Sequence, residues 1–315
     1  MAKFRIMAGT GLAEDIAEEN GYFRDEGLDY EYVRNRRDGG QRSSSMPDLR
    51  SDPTSYPEMP GLVAGLEERS QTQIRSGAFE SLEAGRDATC DVSHACHWAV
   101  NMASSADRTY MWGHAYMLEF AGLYVPPESP IKTPDDLRGV EIGVGYHSGS
   151  HFSTLQFLSP WIAPQDVKTT FIGSTMDRVN KLYNREVPCA NLHDIGRDIL
   201  EQLGFRKIVD VSYMQGFSLS KNIEIEDAWK YFRALQRAQL ELDAHGQKYK
   251  HYLDDMIPQQ YKGLVDYRSF SNGKRIVFEE YTKEVYESIH QWLVDIEIFP
   301  EIQAGHKDYA EAVLV

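Results

Sequence analysis

A glycine-bounded strand that runs within five residues into a helix constrains this chain more than any other feature. Residues 140–144 (Val-Glu-Ile-Gly-Val) lie between Gly139 and Gly145 and read as a short buried strand. Tyr146, His147, Ser148, Gly149 and Ser150 follow, and Phe152, Leu155 and Leu158 then repeat at helical spacing. The loop therefore sits at a helix N-terminus, where unpaired N–H groups and the helix dipole favour a carboxylate, sulfonate, sulfinate or phosphate. Taken alone, such a junction is an ordinary capped turn. Tyr146, Ser148, Gly149 and Ser150 become ligand candidates because of the leader that precedes the strand, residues 129–139, SPIKTPDDLRG.

Residues 4–8 read as a first strand and 12–20 as a first helix, joined by Gly9, Thr10 and Gly11. In an open α/β sheet ligands lie beyond the carboxyl ends of the strands, which makes Gly9 and Thr10 candidates. A second strand is expected over 28–33. Residues 34–60 carry five arginines and three successive serines without periodicity, and are expected to form a flexible flap or a solvated insertion. Arg75, Ser76 and Gly77 mark another turn, with Arg75 suited to clamp an anion. A strand ending near Ser93, His94, Cys96 and His97 opens into a helix from Trp98, and residues 109–117 read as one crossing strand, with 123–127 leading to a hinge. Later strands are expected at 167–172 and 187–192, the last delivering His193 and Asp194, with Asp194 as helix cap. Residues 213–219 return to the first lobe, and the remainder is helical.

The leader at 129–139, SPIKTPDDLRG, followed by the strand and its Ser/Gly helix cap, resembles the start of the second lobe in type II periplasmic-binding-protein folds. The nearest resemblance is to the branch of nitrate, taurine and alkanesulfonate binding proteins and thiamine-pyrimidine synthases. Residues 21–29, GYFRDEGLD, and 170–191, TFIGSTMDRVNKLYNREVPCAN, resemble further segments of that group in the same order. The resemblance implies an α/β fold of two lobes, mixed sheets flanked by helices and a ligand cleft between them. It places the first lobe at 1–122 and 214–315 and the second at 123–213. The turn at Arg75, Ser76 and Gly77 also resembles that of the aromatic sulfinate desulfinases, but Gly9, Thr10 and Gly11 stand where that family carries its nucleophilic cysteine.

A chain of 315 residues, 42% hydrophobic and 26% charged, has material for a large core. Its formal charge of −15 argues against nucleic acid and anionic membranes as partners. No stretch reaches membrane-spanning length, and residues 1–8 do not read as an export segment, so the expectation is a cytoplasmic protein, or a periplasmic one if a leader has been removed. Three cysteines, Cys90, Cys96 and Cys189, leave at least one thiol unpaired.

Six of the ten histidines fall between His94 and His193, each expected at a strand end or helix start. Imidazole titrates near neutrality and is the commonest transition-metal ligand. His94, Cys96, His114 and His147 are therefore the catalytic candidates, with His193 as a second-lobe ligand contact. The bland alternative is a set of hydrogen-bonded structural histidines and a small buried thiol. No pair is accompanied by the third ligand of a recognised zinc motif, so no metal or other cofactor is assigned; iron or zinc at the histidine cluster stays open. Two functions remain. One is an enzyme of lyase or hydrolase type, performing decarboxylation or desulfination on a small anionic or aromatic substrate. The other is the solute-binding subunit of an importer for a sulfonate, nitrate or pyrimidine-like ligand. A homodimer is retained as an option.

Overall fold

The computed structural model describes residues 3–7, 9, 11–34, 90–297 and 307–315. The expected flap beyond residue 34, Thr10 and the turn at Arg75, Ser76 and Gly77 lie outside the described residues. The chain opens with β1 (Phe4–Met7), α1 (Leu12–Glu19), β2 (Tyr30–Arg34), β3 (Val92–Cys96), α2 (His97–Ser105), β4 (Tyr110–Trp112) and β5 (Tyr116–Glu119). It continues as β6 (Ala121–Val125), β7 (Ile142–Val144), α3 (Gly149–Leu158), β8 (Thr169–Phe171), α4 (Thr175–Tyr183), β9 (Cys189–His193), α5 (Asp194–Gln202) and β10 (Arg206–Asp210). It closes with β11 (Tyr213–Leu219), α6 (Ile225–His245), β12 (Arg275–Val277), α7 (Lys283–Asp295) and β13 (Val313–Leu314).

These strands form two mixed sheets. The first runs β12-β5-β11-β3-β1-β2, with β4 pairing β11 and β13, and the second runs β10-β6-β9-β7-β8. Strands β1, β2 and β3 are parallel, as are β7, β8 and β9, and the carboxyl ends of β1, β3, β7, β8 and β9 carry strand-to-helix turns. Helix α6 explains how the first sheet is covered: Ala228, Tyr231, Phe232, Leu235, Ala238 and Leu242 recur at helical spacing and are buried. Phe232 stacks on Trp112 of β4 with centroids 4.6 Å apart, and Tyr231 donates to the buried Glu14 of α1 at 2.7 Å. Among the described residues no helix is long and apolar enough to cross a membrane.

Three expectations from the sequence need correction. The part beyond residue 219 is not all helical, since β12 and β13 lie in it and join the first sheet. The single strand over 109–117 is two strands, β4 and β5, because the chain turns at Gly113. There the C-terminal strand β13 lies so close that a methyl group would come 2.9 Å from the carbonyl oxygen of Leu314, and the Gly113 amide donates to that oxygen at 2.8 Å. The segment expected to lead to the hinge at 123–127 begins inside β6, and the sheets change over at Phe120. The return crossing at Val211 and Ser212 is bonded to the first: Val211 donates to the Ala121 carbonyl at 3.0 Å, and the Ala121 amide donates to Ser212 Oγ at 3.1 Å.

A third connection grips the second sheet's helices from outside. Residues 258–271, anchored by α6 on one side and β12 on the other, place Gln260 and Tyr261 on Asn180 Oδ1 at 2.6 and 2.8 Å. Further along, Gln202 donates to the Asp266 carbonyl at 3.0 Å and to Ser269 Oγ at 2.9 Å, and Ser271 Oγ donates to Asp198 at 2.8 Å. Hydrogen bonds of this kind contribute about 1 kcal/mol each. The double variant Asn180→Ala/Gln202→Ala is expected to raise amide hydrogen exchange across 258–271 about tenfold or more while leaving β1 and β3 protected; uniform protection would show that the segment is held by other contacts.

Candidate functional site

The loops at the carboxyl ends of β3 and β9 and the two crossings bring together a polar chain that joins both sheets. Gln215 of β11 donates through Nε2 to Glu119 of β5 at 2.7 Å. Its Oε1 therefore accepts from Nδ1 of His94 on β3, 2.9 Å away. The other imidazole nitrogen, Nε2, lies against Gly9, where a methyl group would collide with it, and this close approach accounts for glycine at that position. Lys274 Nζ stands 3.5 Å from Glu119 and 3.7 Å from Asp194, and donates to the Gly9 carbonyl at 3.4 Å. Burial, and then the Asp194 charge, hold the Glu119 carboxyl above the usual range, while Lys274 and His193 pull it down.

His193 is fixed at both nitrogens. Arginine has no acceptor, so Nε2 of His193, 3.2 Å from Arg178 Nη2, carries the lone pair. Nδ1 then bears the proton and faces Asp194 at 3.3 Å and Glu119 at 3.8 Å. Glu119, His193 and Asp194 are close enough to one another to hold a metal ion. The donor set fits a cation poorly, because the Lys274 ammonium already faces both carboxylates and the Nδ1 proton of His193 points at them. Asp194 is not the helix cap the sequence suggested. His193 occupies that position, no side chain caps the helix, and Asp194 itself has φ of +51°, a left-handed conformation in which a non-glycine residue is strained.

The turn after β7 is built differently. The Gly145 amide donates to Ser150 Oγ at 2.9 Å, and Ser148 Oγ donates to the Gly145 carbonyl at 2.6 Å, closing the loop on itself. His147 adopts φ of +52°, and Ser148 precedes a ten-residue helix that no side chain caps. The first amides of α3 are therefore left without a side-chain cap, whereas the His147 amide is already donated to Nδ1 of His151 at 3.2 Å. Under this loop lies Arg178 of α4, only 2% exposed. Its Nη1 is 3.4 Å from where a Gly145 methyl would stand. Nε donates to the Asn191 carbonyl at 2.7 Å, Nη1 to the Gly173 carbonyl at 2.7 Å, and Nη2 to Thr175 Oγ1 at 3.2 Å. Every partner is neutral, and among the described residues no carboxylate forms an ion pair with it. Burial lowers its pKa to about 10, which leaves it a cation at neutral pH.

The remaining candidates separate. Cys96 is buried, and burial pushes its thiol up to about 12, so it is protonated at neutral pH and fits the core rather than a nucleophile. His97 is buried against Trp98, with its pKa pushed down to about 3. His147 and His151, with ring centroids 5.5 Å apart, are likewise held down by burial to about 3 and about 4. His114 is not at the polar chain. Its ring packs 5.0 Å from Trp112 and 4.6 Å from Trp229, on the side of the first sheet covered by α6. Ser93 is buried in register with Ser218 of β11. Tyr146 packs its ring on His151 and Phe171, while Ser148, Gly149 and Ser150 form the head of α3.

Arg178, Glu119, Lys274 and Tyr213 escape the sequence reading. Arg178 had one signal: it lies three residues after Thr175 and four before Leu182, on the same buried helix face, where a charge requires a reason. Glu119, Lys274 and Tyr213 have none, because strand pairing between distant segments brings them to the site.

No protein-family model matches the chain, and no curated protein matches it by sequence. Solved structures do. The alkanesulfonate-binding protein SsuA from Xanthomonas axonopodis pv. citri, bound to MOPS, is 13% identical with a TM-score of 0.66, covering 100% of this chain and 98% of that one. The periplasmic aliphatic sulphonate binding protein SsuA from Escherichia coli is 14% identical with a TM-score of 0.66, covering 97% of each chain. The desulfurization enzyme DSZB is 13% identical with a TM-score of 0.54, covering 95% of this chain and 93% of that one. At these identities the likeness concerns the fold, and the chain has the two-lobed, mixed α/β architecture of the type II periplasmic-binding-protein structures.

Proposed function

We propose that the protein binds a small organic anion of the sulfonate type between its lobes, as the solute-binding component of an importer. The observation that carries this reading is Arg178, a fully buried cation whose hydrogen-bond partners are all neutral, set under the uncapped head of α3. A buried charge without a counter-charge is costly unless a ligand supplies one. A sulfonate supplies it without needing a protein acceptor, since it carries no proton at neutral pH.

This reading reverses the order of the two expectations drawn from the sequence. Acid, base and nucleophile chemistry needs groups that change protonation near neutrality, whereas Cys96, His97, His147 and His151 are all held neutral by burial. That two of the similar structures carry sulfonate-binding names supports the binder. On this reading the protein works with a membrane importer in the periplasm rather than as a cytoplasmic enzyme. The test is thermal unfolding with ethanesulfonate, MOPS, benzoate, a neutral sulfonamide and a quaternary amine. Sulfonates are expected to stabilise by about 2.7 kcal/mol at a hundredfold excess over Kd, and the neutral and cationic compounds not at all. Equal responses to all five would end the reading.

A further inference from the structure

Tyr213 is the first residue of β11, directly after the return crossing, and only 7% of its surface is exposed. Its ring packs against Trp98 at the head of α2, with centroids 5.4 Å apart. Its hydroxyl crosses to the other lobe and lies over Gly149, the first residue of α3, where a methyl group would run into it. Trp98 ties the same two helices together by donating to Gln156 of α3 at 3.0 Å. Glu119, paired with Tyr213 across the sheet, accepts from Gln215, two residues along β11. Among the described residues, the hydroxyl of Tyr213 has no hydrogen-bond partner. Burial, with Glu119 adding to it, raises the phenol well above its usual range, so it remains a neutral O–H at any physiological pH.

Tyr213 is nine-tenths buried as a residue, and its hydroxyl points at the uncapped head of a ten-residue helix rather than at a protein acceptor. We infer that Tyr213 is a specificity-determining ligand donor, reaching from the first lobe to an oxygen of an anion seated on the head of α3. The inference rests on the anion-binding reading and deepens it by naming the shape of the head group. Amides of the first turn of α3 and the field of Arg178 hold the anion from the second lobe. The Tyr213 hydroxyl comes from a different direction and meets an oxygen out of the plane of the others. A tetrahedral sulfonate has a third oxygen to offer there, and a planar carboxylate does not. The seat is therefore completed only when both lobes contribute, and sulfonates are selected over carboxylates of the same size.

The test is isothermal titration of wild type, Tyr213→Phe and Gly149→Ala with ethanesulfonate and with propionate, alongside thermal unfolding. Tyr213→Phe removes one oxygen that no protein group uses, so its melting temperature is expected to stay at the wild-type value. Its affinity for ethanesulfonate is expected to fall roughly tenfold or more, the scale of a hydrogen bond to a charged group, while propionate changes less than threefold. Gly149→Ala drives a methyl group into the phenol, which must move its hydroxyl away from the helix head, and is expected to give the same loss of selectivity. Wild-type affinity for ethanesulfonate in Tyr213→Phe, or an equal loss for both anions, overturns the inference and leaves the anion-binding reading in place. A wild-type protein that binds neither anion overturns both.

Discussion

In an Arg178→Met variant, binding of small sulfonates is expected to fall at least a hundredfold, and the protein to lose about 3 kcal/mol or more of stability. The two effects share one cause. The guanidinium satisfies the carbonyls of Asn191 and Gly173 and the ring nitrogen of His193, all buried or half-buried. Methionine fills the space and pairs with none of them, and each buried acceptor left unmade costs roughly 1–3 kcal/mol. It also removes the cation under the α3 loop. Arg178→Lys separates the two: a lysine keeps the charge but has no planar fork to reach several acceptors at once. That variant is expected to lose stability by a similar amount yet retain more affinity than the methionine variant, measured by denaturant unfolding and by titration of ethanesulfonate. Sulfonate binding unchanged in a folded methionine variant would remove Arg178 from the account.

Stability should also fall steeply on the acid side. Burial lowers the pKa of His97 to about 3, His147 to about 3 and His151 to about 4, against about 6.5 for an imidazole in the unfolded chain. The unfolded state therefore binds more protons below pH 6.5. The stabilisation is complete above that value and is lost as pH falls through the window toward 4. At pH 5.5 each imidazole costs about 1.4 kcal/mol, and the three together about 4 kcal/mol. Glu119 acts with the opposite sign: its raised pKa means that its contribution is present at low pH and is lost as pH rises, so it offsets part of the acid loss. Guanidinium unfolding at pH 7.5 and 5.5 measures the difference, expected to be at least about 2 kcal/mol against a typical total of about 5–15 kcal/mol. His147→Asn, which tolerates the left-handed backbone at that position, is expected to reduce the difference by about a third. A flat profile would mean that these imidazoles reach water in the native protein.

How far the site could be read in advance depended on the distance over which its parts are assembled. The turn from Gly145 to Ser150 was legible because a short buried strand bounded by glycines gives way to a helical period within six residues, and local chemistry dictates what such a turn offers. Clustering of histidines told only part of the arrangement, because a position at a strand end does not fix which side the ring takes. His94 meets Gln215 and thereby Glu119, whereas His114, equally close to a strand end, packs between Trp112 and Trp229. Tyr213 faces Glu119 in β-sheet register although the two lie almost a hundred residues apart, and Lys274 reaches them only because β12 pairs with β5. No local pattern records such meetings. The strand break at Gly113 was hidden for the same reason, since its cause is the C-terminal strand some two hundred residues later.

A crystal structure of the protein grown with a small sulfonate is expected to show the sulfur atom at the head of α3, with its oxygens on the first amides of that helix and on the hydroxyl of Tyr213, above Arg178. A sulfonate found instead at the Lys274, Glu119 and Asp194 cluster, or on an outer surface with the α3 head filled by water, would contradict that placement.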